Sequence, residues 1–208
     1  MKKVIDCNKH DNPVIKKKLR EVSVEEGRAI ATELFQILNK RGDGIGLASN
    51  QVGINAQVAV VNVREPIILI NPKIIDQWEE VPYYEGCLSF PGQAIRTKRY
   101  RHIIVKSADV DCQYYFSGAG SPKGAKGSWE TSAKHDQDQR LLEAICVQHE
   151  IDHLMGSTIH DREKNLEPVK SEKKIGRNQL VTIKKGDAVK VLKYKKARNL
   201  LNQGWVME

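Results

Sequence analysis

Apolar residues recur at helical spacing between Ser23 and Asn39, at Ala29, Ile30, Leu34, Ile37 and Leu38. Ser23 and Glu26 form an S-x-x-E capping pair at the start of that stretch, and Arg41-Gly42-Asp43-Gly44 supplies turn chemistry at its end. Residues 44–54 (GIGLASNQVGI) are too glycine-rich for an ordinary element. β-branched runs at 56–63 and 67–70 predict strands separated by Pro66. Residues 72–82 follow no single period. Residues 83–91 (YYEGCLSFP) read as a strand broken at Gly86, and 103–105 as another strand. The polar stretch 117–136, with four glycines, predicts a long surface loop. A second helix is expected from about Asp138 to Met155, with Leu142, Ile145, Cys146 and His149 on one side and Gly156 as its terminator. The charged segment 161–178 reads as a linker. Residues 180–208 read as a β-hairpin with a short helix from Lys196 to Asn202.

Composition narrows the class. The 208 residues carry 34 Lys+Arg against 26 Asp+Glu, a net charge of +8. The excess is local: residues 169–208 hold 11 basic and 3 acidic side chains, while residues 1–168 hold 23 of each. A neutral body therefore carries a basic tail, and any affinity for nucleic acid is confined to the tail. Its lysines and arginines suit ribosomal RNA or simply a solvated face; DNA is not expected. No apolar run is long enough to span a membrane, and the lysines at the N-terminus precede no apolar signal core, so a cytoplasmic chain with reduced thiols is expected. Cys7, Cys87, Cys112 and Cys146 form no C-x-x-C pair.

The sharpest chemical signal is His149-Glu150-Ile151-Asp152-His153, an H-E-x-x-H on the second helix. Four residues is close to one helical turn, so both imidazoles face one metal while Glu150 can take a proton from a water beside it. Apolar flanks (AICV and LMG) predict that this helix is buried, where histidines and a carboxylate are costly without partners. A third ligand is needed. The H-E-x-x-H-x-x-G-x-x-H arrangement of one zinc protease class fails here, because Ile159 stands in the third histidine's place and His160 comes one residue late. Glu163 and Glu167 lie in the charged linker. Cys87, in Glu85-Gly86-Cys87-Leu88-Ser89, is the better donor, since a metal holds a thiolate deprotonated at neutral pH; read alone it would be a buried core cysteine.

Three motifs in order, GIGLASNQ (44–51), EGCLS (85–89) and QHEIDHLMG (148–156), together resemble the peptide deformylases over roughly residues 10–163. The resemblance implies an α+β fold with mixed and antiparallel β-sheets around a central metal-binding helix. It makes residues 1–165 the catalytic domain and leaves 166–208 as linker and small basic C-terminal extension. It implies removal of the formyl group from N-formylmethionyl nascent peptides, with release of formate. The implied cofactor is one divalent metal on Cys87, His149 and His153: Fe²⁺ in cells, with Ni²⁺, Co²⁺ or Zn²⁺ also accepted. Glu150 becomes the catalytic carboxylate, and Gln51 with the backbone N–H of Leu88 the donors to the oxyanion. Ile45, Gly46, Tyr83, Glu85, Gly86, Leu142, Ile145 and Cys146 become the substrate site. Arg99 and Asp152 stand behind the ligands, Arg99 pairing with Glu85 and Asp152. A zinc endopeptidase is the competing enzyme class, separable by whether formyl-Met peptide or unformylated peptide is cleaved. An inactive scaffold with an RNA-binding tail predicts no bound metal.

Overall fold

The computed structural model describes residues 2–118, 134–162, 180–185, 188–201 and 206–207. Most of the expected loop at 117–136 and of the linker at 161–178 lies outside them. The chain divides into two compact units, Met1–Lys164 and Asn165–Glu208.

In the first unit, helix α1 (Val24–Arg41) begins and ends where its caps predict. Ser23 Oγ accepts from Glu26 N–H at 3.1 Å, and Gly42, at φ 74°, donates its N–H back to Leu38 O. Its buried stripe of Ala31, Leu34, Ile37 and Leu38 packs with Leu47, Val58, Val60 and Ile70 of the first sheet. That sheet has the order β1 (Gly46–Ala48), β2 (Val58–Asn62), β3 (Pro66–Ile70). The second sheet has the order β4 (Lys73–Cys87), β5 (Phe90–Lys106), β6 (Gln113–Ser117).

Helix α2 (Lys134–Leu154) shares one core with both sheets. Ala144, Cys146, Val147, Ile151 and Leu154 pack among Ala48, Ala59 and Val61 of the first sheet and Ile103, Val105 and Phe116 of the second. An apolar helix sandwiched in this way can hold ionisable side chains only where they find partners. Gly156 follows at φ 79°, and a Cβ there would come within 2.9 Å of the backbone of Lys16 and Lys17. The chain passes that close because glycine lets it. One turn of helix, α3 (Ile159–Arg162), ends the described part of this unit.

Several expectations change. Residues 73–82 belong to β4, and the strand continues to Cys87 with a register shift at Gly86, where a break is expected. Residues 44–54 hold β1 and a 3-10 turn, Ser49–Val52. Helix α2 begins four residues before Asp138. Mixed sheets were expected, yet every strand pairing among the described residues is antiparallel. In the first two sheets neighbouring strands follow one another along the chain, and connections this short make antiparallel neighbours.

The second unit has a sheet of order β8 (Ala188–Lys193), β7 (Leu180–Lys185), β9 (Val206–Met207), and helix α4 (Tyr194–Leu201). Val181, Ile183 and Ala197 form its small core, with Leu192 and Leu200 against it. No helix among the described residues is long and apolar enough to cross a membrane.

Candidate metal centre and adjoining cavity

His149 and His153 lie one turn apart on α2, and Cys87 ends β4. The three are buried, and their ligand atoms all lie within 4.8 Å of one another. His153 Nε2 stands 3.2 Å from His149 Nε2 and 3.3 Å from Cys87 Sγ. Four-coordinate zinc, with Zn–N near 2.0–2.1 Å and Zn–S near 2.3 Å, would space two nitrogens by about 3.4 Å and nitrogen from sulfur by about 3.6 Å. The donor set therefore fits a single cation. So does the orientation: two imidazole nitrogens and a sulfur converge on one point.

His149 is held from behind, whereas His153 Nδ1 has no partner among the described residues. His149 Nδ1 donates to Glu85 Oε2 at 2.9 Å, which turns Nε2 inward. Glu85 is gripped by Arg99 at 2.6 Å (Nε) and 3.0 Å (Nη2), and by Thr97 Oγ1. Burial opposes charge on Glu85, but the hydrogen bonds from His149 and Arg99 outweigh it and hold its carboxyl at about 2. Arg99, itself almost fully buried, also donates to Asp152 at 2.5 Å. Burial likewise opposes charge on His149, yet Cys87 and Glu85 push its pKa well up. Burial, and then the neighbouring His149, pushes that of His153 well down.

Glu150 is 3% exposed, and its Oε2 has no partner among the described residues. Burial lifts its pKa to about 7; Glu85 adds to the rise while His149 and Arg99 oppose it. A buried carboxyl near neutrality with a free oxygen can accept and return a proton. Gln51 is fixed by its own amide: Oε1 accepts from Ala48 N–H at 2.8 Å, which turns Nε2 toward Cys87 Sγ at 3.5 Å and Ser89 Oγ at 3.3 Å. Leu88 sits in the two-residue turn joining β4 to β5, directly after Cys87.

Beside the metal ligands lies a cavity of about 190 Å³. Its walls include Ile45, Tyr83, Glu85 and Gly86 on one side and Leu142, Ile145 and Cys146 from α2 on the other, all singled out from sequence. Gly46 is not in the wall but lies under it, packed on Cys146 and Glu150. A larger cavity of about 520 Å³, bounded by Lys2, Lys3, Lys40 and Arg41, lies apart from these residues and holds no ligating side chain.

Three residues at the site were not foreseen. Tyr84 joins the cavity wall although alternation from Tyr83 would turn it away. Gln148 clamps α2 to β5, accepting from Tyr100 N–H at 2.9 Å and donating to Tyr100 O at 2.8 Å. Asn50 donates to His153 O at 2.7 Å. The glutamine before the first histidine was a visible signal; nothing in the sequence pointed to the other two. His160, the misplaced histidine, instead meets Phe90 edge-on.

A buried Cys/His/His donor set, with a carboxylate between the histidines and an apolar slot beside them, defines a mononuclear metal-dependent hydrolase site. The sequence model of the polypeptide deformylase family matches residues 4–169. A peptide deformylase of Dictyoglomus thermophilum is 36% identical over 172 residues, covering 81% of this chain and 98% of its own. Among solved structures, the Thermotoga maritima peptide deformylase is 27% identical with a TM-score of 0.61, covering 79% of this chain and 98% of that one. The Synechococcus elongatus peptide deformylase, solved with actinonin, is 29% identical with a TM-score of 0.61, covering 79% and 80%. The chain belongs to the peptide deformylase family. It is a metal-dependent hydrolase that removes the N-formyl group from nascent peptides. Residues 170–208 lie beyond the matched stretch.

Proposed function

We propose that Cys87, His149 and His153 hold the metal, that Glu150 carries the proton, and that Gln51 Nε2 and the Leu88 N–H receive the developing oxyanion. A divalent cation bound by these ligands would acidify a water and polarise the formyl carbonyl. Glu150 takes a proton from the attacking water as the new C–O bond forms, and its pKa near 7 suits that task. Charge then gathers on the formyl oxygen, where the pre-aligned Gln51 amide donates without reorganising. Glu150 returns the proton to the departing α-amine as the C–N bond breaks, leaving formate and a free N-terminus. The observation that carries this reading is the 3.2 Å approach of two inward-facing Nε2 atoms beside a sulfur. Imidazole and thiolate suit several metals; Fe²⁺ is the choice in cells, with Ni²⁺, Co²⁺ or Zn²⁺ as substitutes.

The cavity of about 190 Å³ takes the methionine side chain. It is smaller than the roughly 300–1,000 Å³ of a site for a drug-sized ligand and suits one apolar side chain. Ile45 and Gly46, on the edge of the first sheet, bind the peptide backbone as an added strand. The enzyme works in the cytoplasm, and the basic segment 169–208 brings it to ribosomal RNA. Full-length and 1–168 proteins are compared for pelleting with ribosomes across salt; equal pelleting removes the tail from the account. The chemistry itself is tested by supplying formyl-Met peptide and unformylated peptide in parallel. Formate from the first and no internal cleavage of the second is the expected result.

A further inference from the structure

Asp152, 5% exposed, lies between the two histidines on α2 and is reached by a second arginine from another element. Arg162, the last residue of α3, donates Nε to Asp152 Oδ2 at 2.9 Å and Nη2 to Oδ1 at 2.5 Å. Its side chain is 49% exposed, so it reaches in from solvent. From it a line of ion pairs runs inward: Asp152 to Arg99, Arg99 to Glu85, Glu85 to His149 Nδ1. Two carboxylates and two guanidiniums balance along that line. Removing Arg162 leaves Arg99 alone between two buried carboxylates and strips Asp152 Oδ1 of its hydrogen bond. A surplus buried negative charge is costly, and the cheapest relief draws Arg99 toward Asp152 and off Glu85. Glu85 then loses its grip on the His149 ring.

We propose that Arg162 is a positioning residue for the metal centre: by sharing Asp152 it leaves Arg99 on Glu85 and so keeps His149 Nε2 aimed at the ion. The proposal rests on the reading of Cys87, His149 and His153 as ligands. Helix α3 has its own anchors, so the substitution need not unfold it. Ile159 is buried, Asp161 Oδ2 accepts from Thr158 N–H at 2.7 Å, and Lys16 pairs with Asp161.

The test measures Zn²⁺ affinity of the full chain by chelator competition, with thermal stability alongside. Loss of a group directly behind a ligand weakens metal binding by about 10–100-fold; Arg162 acts through two intervening ion pairs, so Arg162→Met is expected to weaken it by about 3–10-fold. With Asp152→Asn already present the surplus charge never arises, and adding Arg162→Met should then change affinity by less than about 2-fold. Arg162→Lys keeps the charge but loses the two-armed grip on Asp152, and should lose less affinity than Arg162→Met. Unchanged affinity in Arg162→Met, even with a lowered Tm, overturns the proposal, and so does an equal loss in the Asp152→Asn background. Should Arg162→Met not fold, a large loss in Arg162→Lys overturns it instead. Cys87→Ser and His149→Ala separate the two readings. If they keep full affinity, the ligand assignment fails; if they lose binding while Arg162→Met does not, only this inference fails.

Discussion

Gly46→Ala adds one methyl group under the cavity, where two buried side chains already meet. A Cβ at this position runs into Glu150 Oε1, and lies 2.7 Å from Cys146 Sγ and 3.0 Å from Glu150 Cδ. Ordinary contact begins near 3.5 Å, so the sulfur must retreat by about 0.8 Å and the carboxylate by more. Cys146 can give way only toward the cavity it lines, and Glu150 is almost fully buried. Overpacking of this kind costs about 1–3 kcal/mol, which lowers Tm by roughly 2–12 °C in a chain of this size. Misplacing a catalytic group by 1 Å costs about 10²-fold, so kcat for formate release should fall by about that factor. The two effects separate in Gly46→Ala with Cys146→Ala, compared with Cys146→Ala alone. Removing the sulfur relieves one collision and recovers part of the Tm; the carboxylate remains displaced and kcat stays low. A Gly46→Ala protein with normal kcat and unchanged Tm refutes the reasoning, because Glu150 would then have room the geometry denies it.

Gln51→Ala should lower kcat by about 10²–10³, the usual loss for one oxyanion donor, and Glu150→Ala should lower it further while a bound metal is retained. Both are read by formate release with metal analysis, and near-normal turnover by Glu150→Ala contradicts its role. Leu142→Trp fills the cavity and should raise KM for formyl-Met peptides much more than it lowers kcat; an unchanged KM means the side chain binds elsewhere. Asp161 governs an acid limb. Burial opposes its charge, but Lys16 and the hydrogen bonds to Thr158 hold its carboxyl at about 2, below the usual 3.8. Its contribution is complete above about pH 4 and is lost as pH falls through 2. Both partners are about half exposed, so the effect is under about 1 kcal/mol. Urea midpoints between pH 5 and 2.5 should fall less steeply for Asp161→Asn than for the unsubstituted protein, and parallel slopes contradict the assignment.

The site was far more legible in the sequence than the sheet that carries it. Histidines at 149 and 153 declare a shared face because helical geometry leaves little choice, and Cys87 stood out as the donor they lacked. The long β4–β5 hairpin was missed because its outer half is solvated: DQWEE, at 76–80, is exposed throughout and shows no alternation. Gly86 reads as a break, and it is where the β4–β5 ladder shifts register without ending the strand. Strand β1 was hidden by glycines that are there for closeness, as Gly46 against Glu150 makes plain. Gln148, Asn50 and Arg162 escaped because their partners are backbone atoms or a residue of another element. Such pairings follow from packing, which no local period records.

The most direct test is metal content and formate release measured on one anaerobically purified sample, for the unsubstituted chain and for Cys87→Ser, His149→Ala and His153→Ala. The account predicts about one divalent metal per chain with formate released, and loss of both metal and activity in each variant. A metal-free chain that still releases formate, or three variants that keep their metal, would contradict it.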